Sequence, residues 1–95
     1  MRVNQNYVIV NSINVGDAEF VLGVNMKAPS QFVTWECKDG TDYFWGHYFS
    51  NQLSAQKDLC TRGLETAKLL EHNNRSKKKD YERWNIWQKQ IITTN

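Results

Sequence analysis

A chain of 95 residues is sized for one domain, residues 1–95, with one modest core. Apolar residues make up 40% and charged residues 23%, the balance of a soluble globular protein. No stretch approaches the ~20 apolar residues of a membrane helix, and two cysteines, Cys37 and Cys60, are too few for a disulfide framework. With no apolar leader after Met1-Arg2-Val3-Asn4-Gln5-Asn6, the expectation is a cytoplasmic protein in a reducing compartment, with no membrane partner. The net charge of +2 is unevenly spread. Residues 1–50 hold three Lys and Arg against five Asp and Glu, and residues 51–95 hold nine against five. A mildly acidic half and a basic half suit orientation on a polarised partner.

Tyr7 to Val15 reads as a strand, with Tyr7, Ile9, Ile13 and Val15 on one parity and Val8 and Val10 on the other. Gly16-Asp17 turns the chain into a second strand at about 18–25, where Phe20, Leu22 and Val24 share a face. Gly23 marks a bulge or a close backbone approach. After a loop punctuated by Pro29, a third strand runs over about 31–37 through Phe32, Val33, Thr34 and Trp35. Asp39-Gly40 is a hairpin signal. A fourth strand at about 42–49 holds Tyr43-Phe44-Trp45-Gly46-His47-Tyr48-Phe49. Alternation places Tyr43, Trp45, His47 and Phe49 on one face and Phe44 and Tyr48 on the other.

From Ser50, the expected cap, the period changes to helical over about 51–72. The expected buried stripe is Leu53, Cys60, Leu64, Ala67 and Leu70, with Gln56 on it. Gly63 costs about 0.8–1.0 kcal/mol against Ala in a helix, tolerable for close packing on a sheet. Asn73-Asn74-Arg75-Ser76 reads as a break, and Tyr81, Trp84, Trp87 and Ile91 give a second helix at about 77–92. The fold class is α+β: a four-stranded antiparallel meander, a helix packed on one face, and a second C-terminal helix.

No catalytic constellation stands out. His47 reads as a packing and hydrogen-bonding ring beside the core, against the alternatives of a general base or a metal ligand. Cys37, His47, Cys60 and His72 lack zinc-site spacing, so neither a metal nor a cofactor is expected. Cys60 reads as a small buried hydrophobe and Cys37 as partly exposed. Glu36, Asp39 and Asp42 read as a solvated carboxylate cluster, and no Gly-rich phosphate loop is present. The basic segment Arg75, Lys77, Lys78, Lys79, Arg83 and Lys89 interleaves with Tyr81, Trp84 and Trp87, the combination that single-stranded nucleic acid needs. The alternative is a solvated basic face with the tryptophans packed inward. Tyr43, Trp45 and His47 form a second candidate surface, because Trp, Tyr and Arg dominate binding hot spots.

Val15-Gly16-Asp17-Ala18-Glu19-Phe20-Val21-Leu22-Gly23, Phe32-Val33-Thr34-Trp35 and Tyr43 to Ser50, followed by Ala55, Asp58-Leu59-Cys60 and Arg62, resemble many small Firmicutes proteins similar to accessory proteins of phages and conjugative elements. The resemblance covers roughly Tyr7 to Leu70 and carries no catalytic residues. It implies a neighbourhood in which small proteins block host defence, anti-CRISPR inhibitors of Cas nucleases among them. The expectation is a non-catalytic, stoichiometric inhibitor of a host defence nuclease, monomeric or homodimeric. The partner is a host protein such as a Cas nuclease or its guide complex, with the C-terminal segment supplying contacts. The alternative is a basic nucleic-acid-binding accessory or regulatory protein. Replacing both Trp84 and Trp87 by Ala is expected to abolish partner binding in a pull-down while leaving the melting temperature nearly unchanged.

Overall fold

The computed structural model describes residues 1–77. Five strands occur in the order β1 Val3–Asn4, β2 Tyr7–Val15, β3 Ala18–Val24, β4 Phe32–Lys38 and β5 Asp42–Phe49, and α1 follows over Gln52–Lys77. Each strand pairs antiparallel with the next, so the sheet order is the chain order. The architecture is the expected α+β meander and helix, with one strand more than the expected four. The missed strand, β1, is two residues long, and its turn is made by Gln5 and Asn6 at φ 50° and 68°. Positive φ at both central residues is the hairpin geometry that Gly usually signals, and no Gly marks it here.

Two irregularities overturn the simple face assignment. Between Ile9 and Asn11 the β2–β3 register shifts by one residue, at Val10. Tyr7 and Ile9 therefore pack on one face while Ile13 packs on the other, although all three share sequence parity. An extra residue in one strand reverses the side-chain alternation beyond it. The second irregularity lies in β5, at Trp45.

The sheet carries an apolar cluster on each face. On one face Phe20, Leu22 and Phe32 pack with Ala55 and Leu59 of α1, joined by Ile13, Val24 and Phe49. On the other, Val21, Val33, Trp35 and Cys37 pack with Tyr7, Ile9 and Tyr43. Rings wall this second cluster: Trp35 meets Tyr7 edge-on at 5.6 Å and lies 5.7 Å from Tyr43 and 6.3 Å from Tyr48. Edge-to-face rings add about 0.5–1.5 kcal/mol each beyond area burial.

The helix meets the sheet through a different stripe from the one expected. Ala55, Leu59 and Gly63 are buried, flanked by half-buried Asp58, Arg62 and Thr66. Leu53 is 73% and Leu64 55% exposed, and Cys60 faces outward. Phe20, Leu22 and Phe32 already occupy the sheet face, and the helix meets them with one large side chain, Leu59, between small Ala55 and Gly63. A Cβ at Gly63 would lie 2.5 Å from Ile13 Cδ1, which accounts for a glycine in mid-helix. The two cysteines exchange their expected roles: Cys37 is buried and Cys60 exposed. Asn51, rather than Ser50, caps the helix, its Oδ1 accepting the Ser54 amide at 3.0 Å. The expected break at 73–76 is helical, because no Gly or Pro interrupts it. The second helix expected at about 77–92 lies, beyond Lys77, outside the described residues. No helix among the described residues is long and apolar enough to cross a membrane.

At one end of the ring-walled face, Arg2 donates to both oxygens of Glu19, at 3.0 and 2.8 Å, tying the start of the chain to β3. These bonds hold the Glu19 carboxyl below its ordinary pKa against the upward push of burial. A depressed carboxylate contributes stability that is present above its unfolded value, about 4.3, and is lost as pH falls through the folded one. Thermal melts between about pH 5 and pH 3 are expected to fall less steeply in Glu19→Gln than in the wild type.

Candidate functional site

Trp35 dictates the geometry of β5. A Cβ at Gly46 would lie 2.7 Å from the Trp35 indole nitrogen, so β5 rides directly on that ring. Thr34 pairs with His47 and Glu36 with Phe44, leaving Trp45 and Gly46 together opposite Trp35. This is a β-bulge, two residues facing one. It corrects the alternation read from sequence. Tyr43 and Tyr48 join the Trp35 cluster, and Phe49 packs with the helix-side cluster. His47 turns to α1, and Trp45 is expelled with its side chain 69% exposed. The Trp45 backbone sits at φ 54°, the left-handed region, which costs a non-Gly residue about 1–2 kcal/mol. Its indole meets the Phe44 ring edge-on at 4.9 Å.

A polar cluster at the helix–sheet junction holds the bulge from behind. Arg62 donates to the Trp45 carbonyl at 2.6 Å, to the Thr34 carbonyl at 3.0 Å and to Thr34 Oγ1 at 3.1 Å. Thr34, fully buried, donates its hydroxyl to Asp58 Oδ2 at 2.5 Å. The same oxygen lies 2.9 Å from His47 Nδ1. The guanidinium also lies over the Phe20 ring, 5.8 Å from its centroid. Burial lowers the Arg62 pKa, and the nearby Asp58 and Glu36 charges oppose that shift. Neither Arg62 nor Asp58 stood among the sequence-based site residues. Their i, i+4 spacing beside the Leu59 and Gly63 stripe was the available signal.

Chemically the cluster braces more than it activates. The Thr34 proton is directed at a carboxylate instead of an imidazole, and the hydroxyl is buried, so it is no nucleophile. Burial, first, and Glu19 push the Cys37 thiol up, and it sits on the opposite face from His47. Asp58 does orient the His47 ring in the manner of a general base. Beside it lies an open groove of about 270 Å³ lined by Phe49, Ser54, Lys57, Asp58 and Thr61.

Of the candidate residues, Tyr43, Trp45 and His47 are described, and the bulge separates them: ring cluster, exposed tip and helix junction. Arg75 and Lys77 fall in the last turn of α1, and Lys78, Lys79, Tyr81, Arg83, Trp84 and Trp87 lie outside the described residues. Of the four residues weighed for zinc, Cys37 is buried in the sheet and Cys60 faces outward on α1. Among the described residues no three His, Cys, Asp or Glu side chains converge as metal ligands do. Compared with protein families, curated proteins and solved structures, the chain matches none.

The backbone strain makes a direct prediction. Trp45→Gly is expected to be more stable to urea than Trp45→Ala by about 1 kcal/mol, because only Gly occupies the left-handed region freely.

Proposed function

We propose that this chain is a non-catalytic binding protein, a stoichiometric inhibitor of a host defence nuclease of the anti-CRISPR type, acting through the surface around Trp45. The nuclease target comes from the resemblance to accessory proteins of mobile elements. The binding surface comes from Trp45 itself: a large apolar ring, 69% exposed, on backbone at φ 54°. Nothing in the solvation of an indole favours that exposure, and strained backbone clusters at ligand contacts. Trp is also the residue most enriched in hot spots. Phe44, whose ring meets Trp45, lines a shallow groove with Asp17, Glu36 and Lys38, and Arg62 holds the Trp45 backbone from behind. Carboxylates beside the Phe44–Trp45 ring pair suit a partner with a basic groove, such as the channel in which a nuclease holds nucleic acid. In this proposal the segment from Arg75 through Lys77, Lys78 and Lys79 to Trp87 supplies a second contact.

A second reading rests on the His47–Asp58 pair beside its groove: acid–base catalysis on a small polar substrate. It expects turnover of ester or phosphodiester probes that His47→Gln abolishes.

The test is a cleavage assay with guide-loaded Cas nucleases from Firmicutes hosts. Cleavage should stop near one equivalent of the chain. Trp45→Ala should restore it while leaving the melting temperature within a few degrees of the wild type. Failure to inhibit at tenfold excess sinks the nuclease target. Retained inhibition by Trp45→Ala sinks the surface. Binding to naked DNA or RNA that weakens steeply between two salt concentrations would favour the nucleic-acid alternative.

A further inference from the structure

We infer that Arg62 is the positioning residue of the Trp45 surface, a latch that fixes the bulge in its presenting geometry. The inference rests on the reading of Trp45 as the contact residue. Among the described residues β5 is an edge strand, with β4 on one side and no strand on the other, so the ladder holds its backbone from one side only. At the bulge the backbone occupies the left-handed region, and an outside bond must keep it there. Arg62 supplies that bond from α1, and the same planar fork takes the Thr34 carbonyl and hydroxyl of β4. One side chain thus joins three elements at the point where the ladder is broken.

The rest of the cluster aims the fork. Thr34 Oγ1 accepts from Arg62 and donates to Asp58, so its orientation is fixed from both sides. The Asp58 oxygen also holds His47, two residues beyond Trp45. The chain is therefore tied to α1 on each side of Gly46, while the Trp35 indole blocks inward collapse beneath it. A lysine at 62 would keep the charge but offer a single ammonium, unable to serve the Thr34 and Trp45 carbonyls in one fixed geometry. With the latch intact, the ordering of the Trp45 backbone is completed on folding, and an anchor ordered in advance binds more tightly. Loss of the fork should weaken partner binding roughly tenfold or more with Trp45 still in place.

The experiment labels the full chain with 5-fluorotryptophan and follows its fluorine NMR lines, with the Trp45 line assigned by Trp45→Phe and the Trp35 line serving as a core reporter. Wild type, Arg62→Met and Arg62→Lys are compared. The expected result is a shifted and broadened Trp45 line in both Arg62 variants beside a Trp35 line that stays sharp. An unmoved Trp45 line in the folded variants overturns the inference, whatever Trp45 binds. If Arg62→Met loses its Trp35 line, Arg62→Lys decides, since it keeps the charge and loses only the fork. A Trp45 line that moves, together with partner binding that ignores Trp45→Ala, upholds the latch and overturns the contact reading instead.

Discussion

The Trp35 indole beneath Gly46 is the constraint around which the second half of the sheet is arranged. The ring packs edge-on with Tyr7 and near Tyr43 and Tyr48, which fixes its place on the face away from the helix. Because it presses against the β5 backbone, the strand opposite can carry no side chain there, and glycine fills the position. The chain then accommodates one extra residue, and that residue, Trp45, has nowhere to go but outward. An exposed tryptophan at an edge is thus the mechanical consequence of a buried one in the neighbouring strand.

Such a bulge breaks backbone pairing, and the protein repairs the break with a side chain from its helix. Arg62 serves the carbonyls of Thr34 and Trp45, and Thr34, Asp58 and His47 complete the cluster. The nearby carboxylates of Asp58 and Glu36 oppose part of the desolvation of the guanidinium. The small residues of α1 make the arrangement possible. Ala55 and Gly63 let the helix approach closely enough for Arg62 to reach across two strands. Helix packing and edge-strand geometry are therefore one problem with one solution. The bulge also blunts the edge against strand addition.

Much of this was legible in the chain. Alternation in Phe20-Val21-Leu22 and in Phe32-Val33-Thr34-Trp35 announced strands, the turns at Gly16 and Asp39-Gly40 joined them, and the change of period after Ser50 announced the helix. The candidate surface at Tyr43, Trp45 and His47 was legible as a group of rings, but not its division among three environments. Three readings failed for physical reasons. β1 is too short to show a period and its turn uses Gln5-Asn6. The leucines of α1 outrank Ala55 and Gly63 in hydropathy, yet the face that meets Phe20 and Phe32 is Ala55, Leu59 and Gly63, and Leu53 and Leu64 stay exposed. The helix runs on to Lys77 because Asn73-Asn74-Arg75-Ser76 disfavours helix without forbidding it.

By itself the sequence determined the order and type of the main elements, since period, turn residues and propensity act over a few neighbours and need no knowledge of the rest of the fold. Tertiary structure decided which face each side chain joined. A single extra residue at Val10 and another at Trp45 reverse every assignment that follows, and each depends on what lies across the ladder. The partnership of Arg62 with a carbonyl 17 residues away in the chain was settled in the same way. Steric fit between distant segments fixes such pairings, and local pattern carries no record of it.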